Sequence, residues 1–203
     1  MRDRKPMIKQ KITRLAGICG VLVPIVIFIS IWLAIYGAPW FRWTNNALSE
    51  LGVEGISAFF FNNGIILGGI FAFIFSLGLV KILSNKIGAY LLAVSSLALI
   101  GAGLFPITVF ELHYVSSAAF FVLLTAALFI IGITMKHGQF ERKMALAAII
   151  FALFACTSLI FLNFLNGIAI PEAIVCFPAF FWCMIYGLKM ITITNTRKQP
   201  IEA

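Results

Sequence analysis

The sequence predicts an all-α membrane protein: a bundle of six transmembrane helices with the N-terminus and the C-terminus in the cytoplasm. Three observations support this fold class. First, 62% of the 203 residues are hydrophobic and 11% are charged, which is more apolar surface than a soluble domain of this length can bury. Second, uninterrupted apolar runs of about 20 residues recur six times along the chain. Third, if each run crosses the membrane once, 14 of the 15 Lys and Arg residues fall on the same side of the membrane.

Each run is long enough to cross a hydrocarbon layer of about 30 Å at about 1.5 Å per helical residue. We expect helices because a segment in lipid must satisfy its own backbone hydrogen bonds, and because these runs lack the alternation of barrel strands. The first run is too long for the apolar part of a cleaved signal peptide, so it is the first helix. In order, the runs cover residues 15–37, 58–79, 87–108, 112–135, 144–165 and 171–190.

This order divides the chain into three parts. Residues 1–14 form a basic cytoplasmic segment, residues 15–191 a single six-helix transmembrane domain, and residues 192–203 a cytoplasmic tail. One side of the membrane then carries 14 basic and three acidic residues, and the other carries one basic and four acidic residues, in agreement with the net charge of +8. Basic residues concentrate in cytoplasmic loops, so both termini are predicted to lie in the cytoplasm of a cell-membrane protein with several passes.

The charge pattern also indicates partners. The lipid bilayer is the surrounding partner, and anionic lipid headgroups are expected at the basic cytoplasmic face. Nucleic acid is not expected, because the basic residues are dispersed over short loops rather than gathered in one patch. The sequence leaves open whether copies of the chain form a homo-oligomer.

The first outer loop, residues 38–57, is the longest connection and is predicted to hold a short interfacial helix. Asn45 or Asn46 supplies a side chain suited to the N-cap, and Gly52 is suited to ending the helix. The residues expected to face the bilayer are Ala47, Leu48 and Leu51.

Polar residues at the outer ends of the spans are the candidate functional residues. An ionisable group at bilayer depth costs about 2.5–3.5 kcal/mol, so its presence there needs a reason. His113 shares a helix face with Ser116 and Ser117. We expect an outward-facing polar pocket, roofed by the first outer loop. Its predicted ligand-binding residues are Ser49, Glu50, Asn62, His113, Ser117 and Glu172.

Two functions fit these residues. The first is binding or transport of a lipid or small polar ligand in the pocket. The alternative is a lipid-modifying hydrolase or transferase in which His113 is the base and Glu50 or Glu172 is its partner. A purely structural role is the competing interpretation of His113, as a hydrogen-bonded residue that orients the neighbouring turn. No metal or other cofactor is expected, because the two histidines, His113 and His137, are predicted at opposite sides of the membrane.

Glycines four residues apart indicate close helix packing. Gly64 and Gly68 form a G-x-x-x-G pattern in the second span. Small residues at this spacing let two helix backbones approach closely in a membrane. We therefore expect the second helix to pack tightly on a neighbour along this face.

Four short motifs carry a resemblance to a known family. They are S-E-L-G at 49–52, F-N-N-G at 61–64, G-L-F-P at 103–106 and E-L-H at 111–113. In this combination and order the chain resembles an uncharacterised family of prokaryotic membrane proteins, catalogued as domain of unknown function 998, over roughly residues 15–189. The resemblance implies a compact multi-helix membrane protein and no established activity. Members often carry an acidic-basic pair after the fifth helix, where this chain has Pro171 and Glu172 without the adjacent Arg.

Overall fold

The computed structural model describes residues 4–135, 138–158, 160 and 164–196. Within these ranges, side chains are described for residues 10–193. In this part of the chain the secondary structure is helical and includes no strand, which confirms the predicted all-α class. The six α-helices are α1 Arg4–Tyr36, α2 Gly55–Ile82, α3 Ile87–Leu104, α4 Phe110–Thr134, α5 Gln139–Ser158 and α6 Ala169–Thr196, with a short 3-10 helix at Leu48–Gly52.

Consecutive helices pack against each other, and α1 also packs along α6, so the first and last helices are neighbours. Their contact is made by backbone: a Cβ atom on Gly187 would lie 2.6 Å from the carbonyl oxygen of Gly17. Gly17 lies in the first half of α1 and Gly187 in the second half of α6, so the N-terminal end of α1 and the C-terminal end of α6 are at the same end of the bundle. We call this the terminal end of the bundle. The opposite end, which carries the α1–α2 loop and the start of α6, is called the loop end.

Five of the six helices are long and apolar enough to cross a membrane: Gln10–Tyr36, Gly55–Ile82, Ile87–Leu104, Phe110–Thr134 and Ala169–Ile193. The chain is therefore a multi-pass membrane protein. Helix α5 differs because its first turn contains Glu141, Arg142 and Lys143, and because it is described only as far as Ser158. The rest of the predicted span 144–165 includes residues 159 and 161–163, which lie outside the described residues. The fifth predicted span, 144–165, therefore stays a prediction.

The terminal helices are longer than the apolar runs. Helix α1 begins at Arg4 rather than residue 15, and α6 continues to Thr196 rather than residue 190. Lys, Arg and Gln are good helix formers, so a helix can continue into water after its apolar run ends. The residues assigned to separate cytoplasmic segments at both ends are thus partly continuations of α1 and α6.

The G-x-x-x-G pattern packs α2 on α1. A Cβ atom at Gly64 would collide with the side chain of Ser30, and one at Gly68 would collide with Ile27. Both neighbours belong to α1. The prediction of close helix packing at these glycines is confirmed, and the partner helix is α1.

The α1–α2 loop, residues 37–54, differs from the predicted interfacial helix. Its helical part is the short 3-10 helix, and the residue in the N-cap position is Ala47, without a side-chain cap, rather than Asn45 or Asn46. The three residues expected to face the bilayer are instead buried in the protein, namely Ala47, Leu48 and Leu51. That prediction was wrong because the loop folds inward over the helix bundle.

Backbone hydrogen bonds hold this loop in place. The amide of Gly167 donates to the carbonyl of Thr44 at 2.9 Å, and the amide of Ala169 donates to the carbonyl of Asn46, also at 2.9 Å. Gly167 has no room for a side chain, because a Cβ atom there would meet the backbone of residues 45 and 46. The loop is thus joined to the start of α6 and closes the loop end of the bundle.

Candidate ligand-binding site at the loop end

Glu172 connects the loop to α6. It lies in the first turn of α6, where the exposed backbone amides and the helix dipole favour a carboxylate. Its Oε2 atom accepts a hydrogen bond of 2.6 Å from the amide of Leu48. The side chain is half-buried, so this charge-assisted bond is partly shielded from solvent. Oε1 makes no hydrogen bond to the described part of the chain and is available to another donor.

Glu50 has a different role from the one predicted. Its Oε1 atom accepts the amide of Ala47 at 2.7 Å, and its Oε2 atom accepts the side-chain amide of Asn46 at 2.6 Å. Both carboxylate oxygens therefore stabilise the turn that begins the 3-10 helix. Glu50 does not line the cavity described below.

Asn62 also holds the loop. Its side-chain amide donates to the carbonyl of Gly52 at 2.9 Å, at the end of the 3-10 helix. Gly52 is needed at this point, because a Cβ atom there would collide with the Asn62 side chain. Like Glu50, Asn62 lies outside the cavity lining, so these two predicted ligand-binding residues organise the loop.

His113 is buried, with 8% of its surface exposed, and both ring nitrogens have partners. Nδ1 lies 2.7 Å from the carbonyl oxygen of Phe105, which can only accept, so Nδ1 carries a hydrogen. In the neutral ring Nε2 then accepts a hydrogen bond from the hydroxyl of Ser117, at 3.3 Å. The first bond ties α4 to the residue that ends α3, as the structural interpretation expects. The second bond holds the Ser117 hydroxyl against the imidazole of His113.

A small cavity lies beneath the loop, between α1, α2, α3, α4 and α6. Its volume is about 60 Å³, which is room for a few water molecules. Four of the six predicted ligand-binding residues line this loop-end cavity: Ser49, His113, Ser117 and Glu172. The rest of its wall is mostly apolar, with Phe61, Phe120 and Phe180 among the lining residues. Four of the predicted residues thus surround one small cavity beneath the loop, and their role in ligand binding stays a prediction.

A larger groove runs along the side of the bundle between α4, α5 and α6, with a volume of about 670 Å³. Its wall is almost entirely apolar and includes Val122, Phe129 and Leu153, which are exposed on the lateral surface. Phe121 and Glu172 line both this lateral groove and the loop-end cavity. The Glu172 carboxylate therefore lies where the lateral groove meets the loop-end cavity.

A family model described as a protein of unknown function, DUF998, matches residues 21–189 of this chain. The chain belongs to the DUF998 family. The match covers most of the helix bundle, including the whole loop end, and confirms the resemblance seen in the four short motifs. No curated protein and no solved structure matches the chain.

Metal-binding groups are sparse in this DUF998 chain. Within the described residues, no three His, Cys, Asp or Glu side chains lie close enough to hold a metal ion. His137 lies outside the described residues. The lining of the loop-end cavity includes a carboxylate, an imidazole, two serine hydroxyls and the Cys176 thiol.

Sequence reasoning missed a second polar cavity, at the terminal end of this DUF998 bundle. The candidate residues were sought at the outer ends of the spans, whereas Glu141 and Tyr186 line this cavity at the other end. Tyr186 lies within the predicted sixth span, where an isolated aromatic residue does not stand out. The available signal was Glu141, an acidic residue between two spans whose connection is otherwise basic.

Proposed function

We propose that this chain is a six-span protein of the cell membrane with cytoplasmic termini, and that it binds a membrane lipid at the loop end of the bundle. In this topology the side that carries both termini has 14 basic and three acidic residues, which favours the cytoplasm for that side and contact there with anionic lipid headgroups. In this proposal residues 144–165 form the fifth of the six spans.

The observation that carries the proposal is the shared position of Glu172. An apolar groove of about 670 Å³ open to the side of a membrane protein has the size and lining for a lipid acyl chain. Such a groove alone would not distinguish a binding site from an irregular lipid-facing surface. Here it ends at a carboxylate that has one oxygen free of bonds to the described chain and that also faces the loop-end cavity.

The polar end favours one class of headgroup. Glu172 is an acceptor, and the lining of the groove and of the loop-end cavity contains no described Lys or Arg. Arg42 is at the same end, but its guanidinium donates to the carbonyls of Pro39 and Phe41. A phosphate placed beside Glu172 would be repelled, whereas a hydroxyl or an amine could donate to the carboxylate. The ligand we propose is a lipid with a hydroxyl or amino headgroup.

Lipid binding is tested by placing a bulky side chain in the lateral groove. Val122→Trp places a large side chain in the groove lining, and Val115→Trp adds the same bulk two turns away on α4, outside the lining. Both valines are exposed to a similar degree, 67% and 64%, so both variants should fold. Native mass spectrometry of the full chain released from nanodiscs of diacylglycerol, phosphatidylethanolamine and phosphatidylglycerol measures the retained lipid.

We expect the unchanged protein and Val115→Trp to retain diacylglycerol or phosphatidylethanolamine in preference to phosphatidylglycerol, and Val122→Trp to lose most of that retention. Equal retention by the two tryptophan variants, or a preference for phosphatidylglycerol, would contradict the proposal.

The sidedness has its own test. Cysteine introduced at Glu54, exposed at the loop end, should react with a membrane-impermeant maleimide added to intact cells. Cysteine introduced at Lys86, exposed at the terminal end, should react only after the cells are opened. The reverse pattern would place the terminal end outside the cell.

The hydrogen bond between Ser117 and His113 favours a second candidate function, a lipid esterase or acyltransferase. A hydroxyl that donates to an imidazole, whose other nitrogen is held by an acceptor, is the arrangement of a nucleophile, its base and an orienting group. Here the orienting group is the Phe105 carbonyl, in place of the predicted Glu50 or Glu172. In this scheme Ser117 Oγ attacks an ester carbonyl while its proton passes to His113 Nε2. The ester C–O bond breaks, the leaving alcohol takes that proton, and water or a second alcohol then releases the acyl group from serine.

Adjacent serines provide a matched test of this enzyme. Ser117→Ala removes the hydroxyl that meets His113, whereas Ser116→Ala removes one from the next residue, which makes no such bond in the described structure. Lipid profiles of host cells that express each variant should differ only for Ser117→Ala if the chain is an enzyme. Lipid profiles that do not change between the unmodified chain and Ser117→Ala rule it out and leave His113 as a structural residue.

A further inference from the structure

The terminal end of the bundle contains a cavity of about 190 Å³, on the opposite side of the protein from the proposed lipid site. It has room for several water molecules or one small organic molecule. Four of the six α-helices and the α2–α3 turn contribute polar residues to its wall, so the cavity lies between helices rather than on the surface of one helix. Those polar residues are Thr13, Ser84, Asn85, Thr134, Glu141 and Tyr186.

The Tyr186 hydroxyl is the first polar group at this cavity that has no hydrogen-bond partner in the described chain. It is 95% buried, and its hydroxyl makes no hydrogen bond within the described chain. Every fully buried side-chain nitrogen and oxygen atom in the described structure does have a partner, so this hydroxyl must face open space. The space it faces is the cavity that Tyr186 lines. The ring is fixed by parallel stacking on Trp182, with centroids 5.2 Å apart.

Glu141 is the second such group. Its carboxylate is half-buried, lines the same cavity and makes no hydrogen bond or ion pair within the described chain. Gly138 allows this position: its φ of +78° suits glycine, and a Cβ atom there would collide with the carboxylate. A carboxylate therefore lies at the cavity wall, and the described lining includes no Lys or Arg.

The charge and the aromatic rings define the ligand class. The described lining contains a carboxylate, a phenol, an amide and hydroxyl groups, and no Lys or Arg. Just beyond it, the Lys189 ammonium lies 4.7 Å from the centroid of the Phe140 ring, and that ring is 6.1 Å from the ring of Tyr186. This aromatic cluster thus already attracts an ammonium group of the chain itself. A divalent metal ion is a poorer match, because Glu141 is the only carboxylate, imidazole or thiol in the described lining.

We infer that the terminal-end cavity is a binding site for a small organic ammonium compound, with Glu141 as the counter-ion and the Tyr186 hydroxyl as a hydrogen-bond partner. The site is separate from the proposed lipid site and does not depend on it. It gives the protein a polar ligand site at the end that we propose faces the cytoplasm.

Ethanolamine is the probe, because near neutral pH it carries one ammonium group and one hydroxyl. Saturation-transfer NMR and isothermal titration on the full chain in nanodiscs should show saturable binding. Ethylene glycol, which replaces the ammonium by a hydroxyl, should not bind measurably under the same conditions. Sodium chloride at matched ionic strength separates a specific site from general charge screening.

Three variants decide the assignment. Glu141→Gln should weaken ethanolamine binding by about tenfold or more, because it removes the counter-ion. Tyr186→Phe should weaken it by about three- to tenfold, because it removes only the hydroxyl. Glu54→Gln, which alters an exposed carboxylate at the loop end, should leave binding unchanged.

Because Tyr186→Phe retains the ring and its packing, it tests the site even if Glu141→Gln proves unstable. The inference is overturned if ethanolamine fails to bind the unmodified chain, if sodium displaces it equally well, or if binding is the same in Tyr186→Phe and Glu141→Gln as in the unmodified chain.

Discussion

The amide of Leu48 donates a hydrogen bond to Oε2 of Glu172 at 2.6 Å, although the two residues are 124 positions apart in the sequence. Together with the backbone bonds from Gly167 and Ala169, it fastens the α1–α2 loop over the start of α6. Leu48 and Ser49 are also part of the loop-end cavity wall. The bond therefore determines both how the loop is held and how far the cavity is closed.

Removing the carboxylate should release this part of the loop. Glu172→Ala leaves the buried Leu48 amide without its acceptor, at a cost of about 1–3 kcal/mol in the free energy of unfolding. Glu172→Gln keeps a carbonyl acceptor and should cost less. Hydrogen exchange of peptides covering residues 44–52 should speed up markedly in Glu172→Ala and slightly in Glu172→Gln. Exchange that is the same in Glu172→Ala as in the exposed control Glu54→Ala would contradict the role of this bond.

Two neighbouring asparagines should respond differently to substitution. The Asn62 amide bridges to the Gly52 carbonyl in the loop, whereas the exposed Asn63 amide bonds to Phe59 within α2. We expect Asn62→Ala to lower the free energy of unfolding by about 1 kcal/mol and Asn63→Ala to change it by less than about half of that. Thermal unfolding in detergent measures both. A larger loss for Asn63→Ala would show that the loop does not depend on Asn62.

Glycine substitution should separate α1 from α6. A Cβ atom at Gly17 would lie 2.7 Å from the backbone oxygen of Gly187, which cannot move aside without moving a helix. Overpacking of this kind costs about 1–3 kcal/mol, more than the gain of up to about 1 kcal/mol from replacing glycine in a helix. Gly17→Ala should therefore unfold at lower temperature.

Gly101→Ala is the matched control for Gly17→Ala. A Cβ atom at Gly101 would meet the Ser116 side chain, its Oγ atom at 2.8 Å, and that hydroxyl can rotate away. We expect its unfolding temperature to stay close to that of the unmodified chain. If both alanine variants are equally stable, the close contact between α1 and α6 is not needed for stability.

Trp182 should be needed for packing of α5 on α6. Its indole N–H donates to the carbonyl of Met144 at 2.9 Å, and the side chain is fully buried. Trp182→Phe removes the bond and leaves a void beside Tyr186, so we expect a loss of about 1–3 kcal/mol. Trp32→Phe, at a tryptophan that is 67% exposed, is the control and should be near neutral. Denaturant titration followed by circular dichroism distinguishes them.

The helices could be predicted from sequence because each apolar run carries its own signal. Gly64 and Gly68 likewise predict close packing from their spacing alone, although nothing in that spacing names Ser30 and Ile27 as the neighbours. The fate of Leu48 could not be predicted. Its local sequence suits a membrane surface, and only contacts with residues far along the chain, Gly167 and Glu172 among them, bury it.

The candidate site, like the fold, could be predicted only where the signal lies in the local sequence. His113 and Ser117 are four residues apart on a helix, and that spacing brings them together as expected. Glu50 was expected in the pocket on the strength of its charge, but its two oxygens are used by Asn46 and Ala47 beside it. Tyr186 and Glu141 meet at the terminal-end cavity only because α5 packs on α6, which no short motif encodes.

The backbone contact between Gly17 and Gly187 has a consequence for biosynthesis. Helix α1 is synthesised before α6 and four helices lie between them in the chain, so this face of α1 remains without its permanent partner until α6 has been inserted. Closure of the ring of helices is therefore a late, post-insertion event. A chain truncated before α6 should expose the α1 surface to lipid or to an insertion chaperone and be a preferred target of membrane quality control.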